Sequence, residues 1–231
     1  MMSLFLAAAL AAAPASNCTT GQPADIAICK ALVAQAAHDP AAAALQFDAA
    51  AAGYPADDPK AARAYAAAGN MWIAANEPGK AALSLDRALA GTGLRAEQRG
   101  EALLDRARAA EAQNDLKTAR AKVTEASQTV SEDPFLWYFS AALAIREGDK
   151  ATAQSAIGRA LTLAPNEPLL LFEAGHVAQF AGDDVKARSY WSQADRFDTN
   201  GPIGKAAREA MALLAPVPAD GDAGPPAKPK P

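Results

Sequence analysis

The stretch DPFLWYFSAALAIREGDKATAQSAIGRALTLAPNEPLLLFEAGHVAQFAGDDVKARSYWSQADRFDTNGP, residues 133–202, decides the fold because it repeats itself. Pro134, Pro168 and Pro202 follow one another at intervals of 34 residues, and Gly148 and Gly182 keep the same interval. Three further pairs share this interval: Asp149 with Asp183, Ala153 with Ala187, and Ala160 with Ala194. Self-similarity at a fixed period of this size indicates a solenoid of stacked structural repeats.

The repeat continues upstream with a change of length. An alanine that we place in the second helix of each repeat recurs at Ala43, Ala81, Ala119, Ala153 and Ala187. The first two steps are 38 residues long and the last two are 34. Four residues make about one helical turn, so we expect one extra turn in the early repeats. We place this extra length around residues 54–57 and 94–98.

Each repeat carries the pattern of two amphipathic helices. Tyr65, Ala68, Gly69 and Trp72 stand at i, i+3, i+4 and i+7, which is one face of an α-helix. More than a quarter of the chain is alanine, which favours close-packed helices. We expect the small residues, such as Gly69 and the equivalent Gly175, to lie where the two helices of a hairpin touch. Large aromatic residues would fill the gaps between layers: Tyr65, Trp72, Trp137 and Trp191.

The pattern resembles the tetratricopeptide repeat, which has W-x2-L-G-x2-Y in its first helix and A-x3-F-x2-A, then Pro, in its second. Residues 65–72 match the first half, and Ala153, Ile157, Ala160 and Pro165 match the second. The resemblance covers roughly residues 24–201. It implies an all-α, right-handed superhelical solenoid of helical hairpins.

The remaining segments complete the domain organisation. We expect residues 16–57 to form a divergent helical pair, 58–201 the regular repeats, and 202–215 a capping helix. Residues 216–231 are rich in proline and poor in apolar side chains, which predicts a disordered tail. Residues 1–15 form an apolar run that ends in Ala13-Pro14-Ala15, which predicts a signal peptide cleaved after Ala15. The alternative is a buried N-terminal helix. Export would place the protein in the bacterial periplasm or at the cell envelope.

The chain has two cysteines, Cys18 and Cys29, both near the start of the predicted mature protein. In an exported protein such a pair most often forms one disulfide. Two thiols without neighbouring His or Cys cannot fill a tetrahedral metal site, and there is no CxxC redox motif. We therefore predict a structural disulfide.

The sequence argues against several classes of function. The net charge is −4 with both signs mixed along the chain, so no basic patch indicates nucleic-acid binding. The N-terminal apolar run is shorter than the ~20 residues of a transmembrane helix. His38 and His176 are the only histidines, and we find no phosphate loop, metalloprotease or nucleophile-elbow motif. We predict a protein that is not an enzyme and that needs no cofactor or metal.

The resemblance also implies where a partner would bind, because first helices line the groove of tetratricopeptide proteins. Transferring the groove positions gives one cationic residue of the third hairpin and six residues downstream: Arg108, Phe135, Tyr138, Arg146, Phe172, His176 and Phe180. The downstream part of this surface is apolar and aromatic, which suits a peptide or a partner helix.

Two interpretations of this stripe stay open. Either a protein or peptide partner lies in the groove, or the chain fills its own groove by curvature, by the capping helix or by self-association. The first makes the protein an interaction scaffold of the envelope. The alternatives to a scaffold are a self-associating structural protein, present as a homo-oligomer, and an envelope enzyme with an unrecognised site.

Overall fold

The computed structural model describes residues 18–214, and within this range all regular secondary structure is helical. The predicted signal peptide and the predicted proline-rich tail lie outside the described residues. The chain divides into two compact units, residues 1–131 and 132–231. The described part of the first unit has six helices: α1 (Pro23–Ala36), α2 (Pro40–Gly53), α3 (Pro59–Ala74), α4 (Pro78–Ala90), α5 (Ala96–Ala112) and α6 (Leu116–Ala126). That of the second unit has five: α7 (Pro134–Glu147), α8 (Lys150–Leu163), α9 (Pro168–Ala181), α10 (Asp184–Phe197) and α11 (Pro202–Leu213).

Helices pack in sequential order within each unit. In the first unit α1 packs on α2, α3 on α4, and α5 on α6, while α2–α3 and α4–α5 contacts join successive hairpins. The second unit repeats the arrangement with hairpins α7–α8 and α9–α10, and α11 packs against α9 and α10. Because no hairpin buries its apolar face alone, each relies on its neighbours for a continuous core. The prediction of an all-α solenoid of hairpins with a C-terminal capping helix is confirmed.

The corner inside each hairpin has one construction. The first or the second residue after the first helix adopts a left-handed conformation, and the residue that follows it donates its N–H to a carbonyl five residues back at 2.9–3.0 Å. The left-handed residues are His38, Asn76, Asn114, Gly148 and Gly182. This bond pattern is the Schellman motif, which satisfies carbonyls at the end of a helix. The acidic residue that follows is the N-cap of the second helix in all five hairpins.

The extra turn of the early repeats lies mainly in the first helices. Helix α3 has 16 residues and α5 has 17, whereas α7 and α9 have 14 each. Counted back from the left-handed residue that follows each first helix, the additional residues are 59–61 at the start of α3 and 96–99 at the start of α5. The placement around residues 94–98 therefore coincides with the extra turn of α5, whereas the placement around residues 54–57 lies a few residues before that of α3.

The predicted small-residue contacts are present in both units. A Cβ atom on Gly69 would fall against the Leu85 side chain, and one on Gly175 would fall against the indole of Trp191. The register alanines at positions 43, 81, 119, 153 and 187 are all fully buried. Small side chains at these points therefore set how closely the two helices of a hairpin approach.

The aromatic residues divide into two groups. Two are buried in the core as expected: Trp72 and Trp191. Tyr65 and Trp137 are only partly buried, and an arginine guanidinium covers each ring. Arg87 lies 5.5 Å from the Tyr65 ring centre, and Arg159 lies 4.2 Å from that of Trp137. A cation over the face of an aromatic ring is attracted by its quadrupole. These two rings therefore lie at the edge of the core, with an arginine on their outer face.

Asp198 organises the start of the capping helix. Its Oδ2 accepts the N–H groups of Ile203 at 2.8 Å and Gly204 at 3.1 Å. These N–H groups have no partner inside the helix, so the carboxylate satisfies them at the end where negative charge is favoured. Ala207 and Leu214 are buried and share a cluster with Trp191, so α11 closes the apolar core of the second unit.

Candidate protein-binding surface

Six of the predicted groove residues lie on two neighbouring first helices of the second unit. Phe135, Tyr138 and Arg146 belong to α7, and Phe172, His176 and Phe180 belong to α9, which contacts α7. We call these six the α7–α9 surface. Phe135 is 40% exposed and Arg146 is exposed, while the other four are partly buried.

Three rings meet at the α9 end of this surface. The Phe172 and His176 rings pack edge to face with centres 4.5 Å apart, and the His176 and Trp191 rings do so at 5.5 Å. The Trp191 indole N–H donates to the backbone carbonyl of Phe172 at 2.9 Å. Edge-to-face packing is the favoured geometry of aromatic pairs. These contacts hold His176 and Phe172 in fixed orientations.

A buried carboxylate lies beside these three rings. Glu173 is 8% exposed, and its Oε2 lies 3.5 Å from Nδ1 of His176, one helical turn away. The distance is at the long end for a hydrogen bond, and Nδ1 can donate to the carboxylate only in the imidazole tautomer that carries a proton on this nitrogen. The pair orients the ring and gives the surface one polar contact beside its aromatic groups.

Tyr138 and Phe180 belong to a second apolar cluster. Both pack against the core formed by α7, α8 and α9, which includes Leu170 and Val177. Lys150 places its ammonium group 5.5 Å from the centre of the Phe180 ring. Each ring therefore packs against the core and is still partly exposed to solvent. Rigid aromatic side chains of this kind lose little conformational entropy on binding a partner.

Phe172 shows how far the chain covers its own groove. It packs against the buried cluster that contains Trp191, together with Ala207 of α11 and Leu214 just after it. Phe135, by contrast, remains 40% exposed. The core cluster that α11 joins thus covers part of Phe172, while Phe135 is more open to solvent.

Arg108 has a different setting. It lies on α5 in the first unit, where its Nη1 donates to Asp105 at 2.8 Å. Asp105 is 8% exposed and also accepts a hydrogen bond from Asn70 Nδ2 of α3 at 2.9 Å. Arg108 is thus part of a polar network that links α3 and α5. The candidate surface of the second unit consists of the other six residues.

The first unit contains an apolar pocket that sequence reasoning did not find. Its volume is about 290 Å³, and its lining includes Ile28, Phe47, Lys60 and Arg63. Tyr54 also lines it and donates its hydroxyl to Asp25 at 2.8 Å. A size near 300 Å³ is at the small end for ligand pockets. No sequence signal pointed to this pocket, because its lining combines residues from three helices.

Asp48 was also missed and joins three helices. It accepts the indole N–H of Trp72 at 2.7 Å and the hydroxyl of Ser84 at 2.7 Å. These bonds link α2 to α3 and α4. Asp86 occupies the equivalent position of the next repeat and pairs with Arg106 at 2.8 Å. An acidic residue at this position therefore ties a second helix to the following hairpin in two successive repeats.

Among residues 18–214 there is no group of three or more His, Cys, Asp or Glu side chains that could hold a metal ion. In the same range no helix combines the length and the apolar character needed to cross a membrane. A disulfide joins Cys18 and Cys29, with the two Cα atoms 5.6 Å apart. It ties the residues that precede α1 to the middle of that helix.

Solved structures identify the fold. No protein-family model and no curated protein matches the chain. A tetratricopeptide repeat protein from Parabacteroides merdae has a TM-score of 0.68 at 16% identity, over 83% of this chain and 73% of its own. YrrB, described as a TPR protein with an unusual peptide-binding site, has a TM-score of 0.60 at 18% identity, over 81% and 93%. PilW, a type IV pilus biogenesis factor, has a TM-score of 0.67 at 15% identity, over 81% and 83%.

These likenesses define the class of structure. All three solved structures match most of this chain. Their sequence identities to it are below 20%, so the likeness is one of fold. The chain has the tetratricopeptide-repeat fold, as its repeat pattern predicted.

Proposed function

We propose that the protein is a non-enzymatic interaction module that binds a peptide or a partner helix on the α7–α9 surface. The observation that carries this proposal is the row of partly exposed rings on two adjacent first helices. Tyr138, Phe172 and Phe180 are held by the core yet reach solvent, and Phe135 stands open beside them. Interfaces draw most of their energy from such central aromatic anchors. The peptide-binding site of YrrB, a protein of the same fold, supports this proposal.

The chemistry of the surface defines the partner that would fit it. Apart from Arg146 and His176 its residues are uncharged aromatics, so the matching segment would present apolar side chains at helical spacing. An acidic residue near one end of that segment would meet the Arg146 guanidinium. Binding would bury the rings, and the rim charges would set orientation and association rate.

We also place the protein outside the cytoplasm, in the periplasm or at the envelope. The apolar N-terminal run with its A-x-A site and the paired cysteines support this placement. Cell fractionation with mass spectrometry of the mature N-terminus tests it. An intact Met1 on a cytoplasmic protein would contradict export.

The binding proposal is tested by capture from the envelope fraction with matched variants. Tyr138→Ala and Phe180→Ala should each lose a partner that the wild type retains. Val185→Ala is the control, because Val185 is 72% exposed on α10 in the same unit and lies off the surface. Circular dichroism must show that all variants are folded. If folded Tyr138→Ala and Phe180→Ala retain every partner of the wild type, the α7–α9 surface is not the binding site.

A further inference from the structure

The apolar pocket of the first unit is lined by two alanines of α3, at positions where the first helices of the second unit carry larger side chains. These alanines are Ala64 and Ala67. Counted back from the left-handed residue at the hairpin corner, the same two positions on α7 and α9 are occupied by Leu136, Phe139, Leu170 and Glu173. Both leucines are fully buried. An alanine in place of a buried leucine leaves the volume of the missing atoms unfilled, so α3 leaves room for a ligand.

The lining of this pocket combines apolar side chains with two cations. Phe47 is 7% exposed and Ile28 is partly buried, and both present hydrocarbon to the pocket. Lys60 and Arg63 stand one helical turn apart on α3, and both are exposed. The described residues that line the pocket include no acidic side chain. A ligand with an apolar body and one anionic group would match both parts of this lining.

The two cations are available to such a ligand. Arg63 forms no hydrogen bond or ion pair with another residue of the range 18–214, and the Lys60 ammonium lies 5.4 Å from the centre of the Tyr54 ring. Two carboxylates that contact lining residues are already engaged. Asp25 accepts the Tyr54 hydroxyl at 2.8 Å, and Asp58, the N-cap of α3, accepts a backbone N–H at 2.8 Å. A guanidinium and an ammonium group without acidic partners favour an incoming carboxylate.

We propose that this pocket binds a medium-chain fatty acid, with its carboxylate beside Lys60 and Arg63. The volume of about 290 Å³ has room for roughly ten water-sized groups at about 30 Å³ each, which is the size of octanoate. The hydrocarbon chain would lie against Ile28, Phe47 and the alanines of α3. Its removal from water would supply most of the affinity, and the two cations would select an acid over a neutral molecule of the same length.

The lining favours a free fatty acid over the carboxyl terminus of a peptide. A peptide brings amide N–H and C=O groups, which need hydrogen-bond partners once they leave water. Among the described lining residues the one neutral polar side chain is Tyr54, and its hydroxyl already donates to Asp25. A hydrocarbon chain has no polar groups to satisfy, so it fits this lining without loss.

Titration of the full chain with octanoate and with octanamide, its uncharged analogue, tests the role of the cations. The wild type should bind octanoate about fivefold more tightly than octanamide, since an exposed ion pair contributes up to about this factor. The double variant Lys60→Gln and Arg63→Gln should bind the two compounds equally. Lys117→Gln is the control, because Lys117 is exposed on α6 and lies outside the pocket, and it should keep the preference. A wild type that binds both compounds equally, or neither, overturns the proposal.

Nuclear magnetic resonance tests the place of binding. Octanoate should shift the Ile28 methyl and Tyr54 ring signals of the wild type. Ala67→Leu should abolish these shifts by filling the pocket, and it should fold because Ala67 is only partly buried. Ala49→Leu, at an exposed position of α2 outside the lining, is the control and should retain them. Shifts that persist in folded Ala67→Leu, or that appear only on the α7–α9 surface, overturn the proposal.

A peptide arm separates the two sources of a carboxylate. N-acetyl-leucyl-leucine, which has apolar side chains and a free carboxylate, should bind the wild type more weakly than octanoate. Tighter binding of this dipeptide at the same signals would overturn the assignment to a fatty acid. The pocket belongs to the first unit and the α7–α9 surface to the second. Fatty-acid binding and partner binding can therefore each fail while the other is observed.

Discussion

The indole of Trp191 occupies the space that a side chain at Gly175 would need. A Cβ built on Gly175 falls against the nitrogen and ring carbons of Trp191, and the indole N–H is engaged with the Phe172 carbonyl at 2.9 Å. The ring therefore cannot slide aside without losing this hydrogen bond. One glycine thus fixes the distance between α9 and α10 under the α7–α9 surface.

Gly175→Ala should accordingly destabilise the fold despite the better helix propensity of alanine. Overpacking a close contact costs about 1–3 kcal/mol, which exceeds the gain of up to about 1 kcal/mol from replacing a helical glycine. Chemical denaturation of the two proteins measures the difference in the free energy of unfolding. Gly158→Ala is the matched control: Gly158 is also inside a helix, has open space around it, and should stabilise the protein. Equal effects of the two substitutions would contradict the role of the Trp191 contact.

Asp48→Ala should weaken the first unit by about 2–3 kcal/mol. The substitution leaves the Trp72 indole N–H and the Ser84 hydroxyl without their acceptor, and hydrogen bonds to charged groups are among the stronger ones. Asp86→Ala removes the equivalent residue of the next repeat. Because the Asp86 side chain is 54% exposed, its ion pair should contribute at most about 1 kcal/mol. Urea midpoints that fall equally in both variants would refute the special role of Asp48.

Stability should decline at alkaline pH through Tyr54. Burial and the hydrogen bond to Asp25 raise the pKa of Tyr54 from 10.0 to about 12. The folded state therefore holds the phenol proton more tightly than the unfolded chain, so this stabilisation is complete below pH 10 and is lost between pH 10 and 12. Tyr54→Phe should show a shallower decline than the wild type over this interval. Tyrosinate absorbance gives a direct check, since a Tyr54 that ionises with an ordinary pKa would contradict the prediction.

Reduction of the Cys18–Cys29 disulfide should destabilise the N-terminal hairpin. The bond spans 11 residues of sequence, and the chain-entropy model assigns about 3 kcal/mol to a closed loop of this size. Hydrogen exchange with and without reductant should show faster exchange in α1, while α9 stays protected. The double variant Cys18→Ser and Cys29→Ser serves as control, because reductant should not change its exchange at all.

The fold was predictable because local signals repeat at a constant position. The Asp and Gly residues at the hairpin corners, the prolines at helix starts and the buried register alanines act within a few residues of the chain. The structure places all five register alanines in the core. Helix bounds were less accessible, because a longer helix and a longer connection both give the same 38-residue step, so the start of α3 lies a few residues beyond the predicted extra length.

The polar contacts that join hairpins could not be predicted in this way. Asp48 accepts from Trp72 and Ser84, which are 24 and 36 residues away, so the contact exists only after three helices have packed. The pocket beside Tyr54 likewise combines residues of α1, α2 and α3. A family pattern gives groove positions on one helix, but it does not show which of those side chains pack into the core, as Phe172 does against the cluster around Trp191.

The shared construction of the hairpin corners has a consequence for how such a chain can change in length. Every second helix begins after a left-handed residue and an acidic N-cap residue, although the preceding helix has 14, 16 or 17 residues. The start of the second helix therefore has the same geometry whatever the length of the first helix. Insertions of a few residues in first helices are the changes that this architecture tolerates, and an insertion between His38 and Asp39 is one that it would not.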